Sequence, residues 1–306
     1  MERTDVATRL IACAEEVEAM LATYVQSNDT DLKEIFDAQA YSLLGGGKRI
    51  RPYLVMALCQ TLGGNREKAL PLACALEMIH TYSLIHDDLP CMDDDEYRRG
   101  RLTSHKVFGE ATAVLAGDAL LTKAFSVVAG AESLSAEEKA SAIGILANAA
   151  GDCGMIGGQI MDMAAENCGE PRELAYLIKM HSLKTGALIK AAASLGCLAA
   201  GKLAECGASA ARYAEKIGLA FQVVDDILDV TGDAETLGKN VGVDGAQNKL
   251  TFMNFYSVEK AAEYAKQLTE EAMKEIHNVD RDGKLCALAL YLLNRKIGRA
   301  SCRERV

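Results

Sequence analysis

Apolar residues recur at i, i+3, i+4 and i+7 along most of this chain, and only four prolines interrupt them. That period is the pattern of amphipathic helices, and kept up over 306 residues it leaves little room for a sheet. Ala, Leu, Met and Glu are abundant, aromatics make up 5% and Trp is absent. Strong helix formers with few breakers predict an all-α protein. Helices are expected near 3–25, 31–44, 50–62, 66–89, 105–129, 136–150, 152–165, 171–180, 182–200, 208–230, 255–277 and 283–295. Connections are short and often carry Gly, as at Gly45–Gly47, Gly63–Gly64 and Gly169–Pro171. With no linker, repeat or low-complexity segment, residues 1–296 read as one large helical bundle with its cavity between facing helices. The longest non-helical stretch, 231–249, is rich in Gly and Asp and reads as a functional lid.

A net charge of −10 argues against a nucleic-acid partner as a bulk matter, without excluding a local basic pocket. Ten cysteines are scattered with no CxxC pair. Acids run through the first 25 residues, which therefore do not read as a secretory leader. The thiols are expected to be reduced and mostly buried in a cytoplasmic protein. No run reaches the roughly 18 uncharged apolar residues of a membrane span. The ending Ile297–Val306, IGRASCRERV, has no helical period. It back-translates into a widely used sequencing adapter, so 297–306 is read as a non-native tail.

Two carboxylate clusters lie far apart in sequence. The first is Asp87, Asp88 and Asp93 in HDDLPCMDDDEYRRG; the second is Asp225, Asp226 and Asp229 in FQVVDDILD. On a helix, Asp229 falls about 40° from Asp225 and about 60° from Asp226, so the three share one face. Their neighbours Phe221, Val223, Val224, Ile227 and Leu228 are apolar, which suits a cavity wall better than a solvated face. In the first cluster, Asp87 and Asp93 would diverge by about 240° on a regular helix. Pro90 stops that helix, so a local loop has to bring Asp93 back beside Asp87. Aligned carboxylates repel one another and are tolerated mainly where a cation neutralises them. Hard oxygen donors suit Mg²⁺, which takes one or two carboxylates plus substrate phosphates.

Cations supply the complementary half. Lys48, Arg49 and Arg51 follow three glycines, Arg98 and Arg99 follow the first acidic cluster, and Lys184, Lys239 and Lys249 stand alone in acidic or apolar segments. A diphosphate needs several such donors, and Arg offers a bidentate fork.

Taken together, these residues resemble the trans-prenyltransferases, the polyprenyl diphosphate synthase family. The resemblance runs from about residue 5 to Lys296. It rests on GGGKRIRP at 45–52, EMIHTYSLIHDDLPCMDDDEYRRG at 77–100, HKVFGEATAVLAGDALL at 105–121, GGQIMDM at 157–163, KTG at 184–186, FQVVDDILD at 221–229, and GKN followed by NKLTF at 248–252. It implies an isoprenoid-synthase bundle and a homodimer. It also implies three Mg²⁺ ions per site, held by Asp87, Asp88, Asp93, Asp225, Asp226 and Asp229. Arg98, Lys184, Lys239 and Lys249 would contact the allylic diphosphate. Lys48, Arg51, His80 and Arg99 would hold isopentenyl diphosphate. Thr185 and Gln222, with Lys184, would border the developing allylic cation. Leu250 departs from the small polar residue often found at its position.

The reaction this implies is ionisation of an allylic diphosphate, attack by isopentenyl diphosphate and loss of a proton. Product length is set where the apolar tunnel stops. Tyr82 precedes Asp87 by five residues, about 7.5 Å along a helix, and small Ser83 follows it. By the resemblance, an aromatic at position 82 points to farnesyl diphosphate, C15, made from dimethylallyl and geranyl diphosphates. The alternative is a geranylgeranyl diphosphate synthase, C20. A terpene cyclase fits less well, because GGGKRIRP and DDILD are both present. A non-catalytic subunit of a heteromeric synthase also fits less well, because no aspartate is lost.

Overall fold

A computed structural model of the chain describes residues 3–166, 172–231 and 249–295. They form α1 (Arg3–Tyr24), a 3₁₀ turn (Thr30–Leu32), α2 (Lys33–Leu43), α3 (Ile50–Thr61) and α4 (Arg66–Asp87). A ribbon of β1 (Tyr97–Arg98) and β2 (Arg101–Leu102) leads into α5 (Ser104–Phe108), α6 (Glu110–Gly130), α7 (Ala136–Ala150) and α8 (Met155–Glu166). Then come α9 (Leu174–Lys184), α10 (Gly186–Ala199), α11 (Leu203–Thr231), a second 3₁₀ turn (Phe252–Asn254), α12 (Val258–Ile276) and α13 (Lys284–Leu293). The all-α expectation holds. The expected lid, Lys239 and the tail 297–306 lie outside the described residues, apart from Thr231 and Lys249 at the ends of the lid range.

The helices begin where side chains satisfy their free N–H groups. Asn65 accepts from Glu67 N ahead of α4, and Ser257 accepts from Lys260 N ahead of α12. Ser135 and Glu138 form a reciprocal capping box at α7. The helix expected over 105–129 is divided in two. Gly109 sits at φ 84°, outside helical geometry, and separates α5 from α6. The ribbon was not anticipated: two-residue strands carry no readable period, and its turn has Arg99 and Gly100 at φ 55° and 71°.

α10 is the central helix, buried along nearly its whole length and packed on α3, α4, α7 and α11. Gly196 makes this possible, since a Cβ there would fall 2.8 Å from the Val55 carbonyl of α3. A main core joins α1, α3, α4, α10 and α13 through residues such as Leu21, Leu54, Leu76, Leu195 and Leu288. A second core seals α9, α11 and α12 around Phe252, Leu177 and Val223. Among the described cysteines, Cys13, Cys59, Cys74 and Cys197 are buried free thiols, while Cys91 and Cys153 are exposed. α6 is long and apolar enough to cross a bilayer by length and composition, although Asp118 and Lys123 interrupt it. It packs against α2, α4, α5 and α7.

Candidate active site

The first carboxylate cluster is built by a turn. After α4 ends, Asp93 N donates to Asp87 O at 2.9 Å, while Met92 N and Asp94 N both donate to Leu89 O. The chain thus folds back over Pro90 and sets Asp93 beside Asp87. Asp94 takes the positive φ that the turn requires. Burial pushes the Asp87 carboxyl up to about 6; Lys184 lowers it, Asp93 raises it, and Arg98 and Asp88 oppose each other more weakly. Asp88, buried, is gripped by Arg98 at 2.6 Å. Asp93 meets Lys249 at 3.4 Å.

The second cluster lies on α11, with Asp226 and Asp229 buried and Asp225 nearby. Asp225 pairs with Arg295 at 2.7 Å, and the Arg295 guanidinium lies over the Phe221 ring. Asp226 accepts from Gln222 Nε2 at 3.1 Å and from Phe252 N at 2.8 Å. Lys249–Phe252 therefore bridges the walls: one end pairs with Asp93, the other holds Asp226. Phe252 is fully buried and stacks on His181, which lies one turn before Lys184.

The junction of α9 and α10 closes the gap between the walls. Lys184 donates to buried Asp162 of α8 at 2.5 Å. Thr185 donates to Gln222 Oε1 at 3.4 Å. Lys184 also feels Asp87 and Asp93 electrostatically. Gly158 allows α8 to approach, since a Cβ there would fall 2.2 Å from Lys184 N. Thr185, Gln222 and Asp226 are thus linked by consecutive hydrogen bonds, while Lys184 feels Asp87 and Asp93 through their charge alone.

His80 of α4 is buried near several arginines. The imidazole is held well below its ordinary range, first by burial and then by Arg51, Arg99, Arg49 and Arg98. Of these four cations, Arg49 is paired with Glu77 and Glu18, and Arg98 with Asp88 and Asp95. Arg99 donates to Gly46 O, tying the ribbon turn to the glycine loop. Lys48 is half-buried in that loop. Tyr82 is buried edge-on to His86, with centroids 5.7 Å apart, and its hydroxyl has no protein partner. Burial pushes that phenol up to about 12, with a further rise from Asp87. Ser83 donates to His80 O at 2.9 Å.

Among the described residues, no three carboxyl, thiol or imidazole groups form a ready cation cage. Asp88, Asp93 and Asp225 instead point to protein cations. Mg²⁺ does not need such a cage, since it takes one or two carboxylates and completes its shell with phosphates and water. Burial, more than the neighbouring carboxylates, disfavours the charged form of Asp87, and a divalent cation would offset that cost. Sequence reasoning missed Asp162, Arg295, Glu77, Glu18 and His181. Asp162 sits within the quoted GGQIMDM segment, but nothing in its spacing pairs it with Lys184.

The model of the polyprenyl synthetase family matches residues 32–288. The Arabidopsis thaliana protein named heterodimeric geranylgeranyl pyrophosphate synthase large subunit 1, chloroplastic, is 46% identical over 86% of this chain and 72% of its own. A geranylgeranyl diphosphate synthase of Cyanophora paradoxa is 46% identical over 85% of this chain and 87% of its own. Among solved structures, a Helicobacter pylori geranyltransferase complexed with magnesium and isoprenyl diphosphate superposes with a TM-score of 0.81. It is 35% identical and covers 94% of this chain and 96% of that one. The fold and these relatives define an isoprenoid-synthase bundle of the prenyltransferase class. The chain belongs to the polyprenyl synthetase family and is a short-chain trans-prenyltransferase.

Proposed function

We propose that this protein condenses isopentenyl diphosphate with allylic diphosphates in a Mg²⁺-dependent reaction, using the contiguous site between α4 and α11. The observation that carries this reading is the bridge from Asp93 through Lys249 and Phe252 to Asp226, which ties both acidic clusters to one short segment. Asp87, Asp88, Asp93, Asp225, Asp226 and Asp229 would hold three Mg²⁺ ions, which supply Lewis-acid stabilisation of the departing diphosphate. Arg98, Lys184, Lys239 and Lys249 would bind and orient the allylic diphosphate. Lys48, Arg51, His80 and Arg99 would hold isopentenyl diphosphate, the neutral His80 as a hydrogen-bonding group. Thr185 and Gln222 present oxygens beside the forming cation. The main contributions of the protein are position and preorganised charge.

The names of the relatives support geranylgeranyl diphosphate, C20, and this is the first reading of the product. The buried ring of Tyr82 supports farnesyl diphosphate, C15, as the second. Product analysis from dimethylallyl and isopentenyl diphosphates decides: mainly C20 upholds the first, mainly C15 the second. The catalytic domain spans 1–296, 297–306 is an adapter-derived tail, the protein acts as a homodimer, and it resides in the cytoplasm. Exposed Val114 and Leu115 on α6 support the dimer. A relative named as a heterodimer subunit keeps the non-catalytic alternative testable, because purified protein alone would then be inactive.

A further inference from the structure

Arg49 stands between Lys48 and Arg51, two cations of the proposed isopentenyl site, but its own guanidinium is spent inside the protein. Its side chain is fully buried and donates to Glu77 at 2.6 Å, to Glu18 at 3.0 Å and to Leu43 O at 2.6 Å. Its backbone is left-handed, at φ 48° and ψ 42°. A side chain larger than glycine adopts that conformation only where surrounding contacts over-determine it. Two carboxylates and a carbonyl supply those contacts, converging on one planar cation. Glu77 is 2% exposed and lies one helical turn before His80 on α4. The Arg49–Glu77 pair therefore ties the end of the 44–49 loop, where α3 begins, to the turn of α4 that carries the imidazole. Arg99 ties the same loop to the ribbon at Gly46.

We propose that Glu77, acting through Arg49, is a positioning residue for the isopentenyl half of the site, fixing the strained loop end that carries Lys48 and leads into Arg51 at the start of α3. This rests on the reading that Lys48, Arg51, His80 and Arg99 hold isopentenyl diphosphate. A buried ion pair is weak evidence for stability and better evidence for a specified conformation. The groups that hold Arg49, namely Glu77, Glu18 and the Leu43 carbonyl, belong to neither aspartate wall, so the effect is one-sided. Removing the Glu77 charge loosens the isopentenyl subsite and leaves allylic binding as it was.

The test is steady-state kinetics of Glu77→Gln with each substrate varied in turn. KM for isopentenyl diphosphate rises by about tenfold or more, while kcat and KM for the allylic substrate stay within about twofold. Glu18→Gln loses only the half-exposed arm of the network and should raise the same KM by about threefold. If Glu77→Gln does not fold, Glu18→Gln decides. In a folded variant, equal changes in both KM values, or a lowered Tm with both unchanged, overturns the proposal. Arg51→Ala separates the two levels. If it folds and keeps the wild-type KM for isopentenyl diphosphate, the subsite assignment has failed, and not the part given to Glu77.

Discussion

Asp87 has the most telling environment of any single residue here. Burial and its carboxylate neighbours hold it near 6, above the ordinary 3.8. Ionising it therefore opposes folding: stability is lost as pH rises from about 4 to about 6 and stays lowered above. Asp87→Asn is expected to raise the Tm of the metal-free protein at pH 8 and leave it unchanged at pH 3.5; calorimetry at both values checks this. Mg²⁺ has to displace the same proton. Turnover should thus fall below about pH 6 at limiting Mg²⁺, and excess Mg²⁺ should move that limb to lower pH. Tyr82 carries a separate prediction about the product. If its ring is the tunnel floor, Tyr82→Ala lengthens the product by at least one five-carbon unit. Each added methylene gains roughly 0.8 kcal/mol on burial, so the longer intermediate is retained for another round. If Tyr82 is an ordinary core residue against His86, a C20 product stays C20. Chromatography of both proteins' products separates the outcomes.

At the scale of elements, the site depends on how closely α8 approaches the α9–α10 junction. Gly158→Ala would place a methyl 2.2 Å from a backbone nitrogen, which cannot swing aside. Overpacking of this kind costs about 1–3 kcal/mol, so the Tm is expected to drop by several degrees. Lys184 would move with its backbone, and turnover should fall by about tenfold or more. Intact Tm and turnover would show that α8 does not set Lys184. This contact illustrates what a sequence conceals. The helices themselves were legible, because a 3.6-residue apolar period is a local property. So was the shared face of Asp225, Asp226 and Asp229, and the return of Asp93 to Asp87 after Pro90. The partners that hold these groups were not: Asp162 for Lys184, Arg295 for Asp225 and Glu77 for Arg49 are joined only by packing. The β-ribbon was missed because two residues per strand leave no period to read.

Across the whole molecule, both aspartate clusters are tied to one segment, Lys249–Phe252, and α6 carries the exposed apolar Val114 and Leu115. Sedimentation should give a dimer, and Leu115→Glu on that face should shift it towards monomer. An unchanged dimer would place the interface on another surface. Deleting 297–306 should leave Tm and turnover as they are, and a large loss of either would make the tail part of the fold. The central claim is Mg²⁺-dependent chain elongation between two acidic walls. Its most direct test uses purified protein alone, labelled isopentenyl diphosphate and dimethylallyl diphosphate, with Mg²⁺ or with chelator. The predicted result is label in an all-trans short-chain prenyl diphosphate with Mg²⁺ and none with chelator. Asp87→Ala and Asp225→Ala, folded by circular dichroism, should each lose about a hundredfold or more of the rate. Folded wild-type protein that incorporates no label, or either variant turning over normally, would contradict the account.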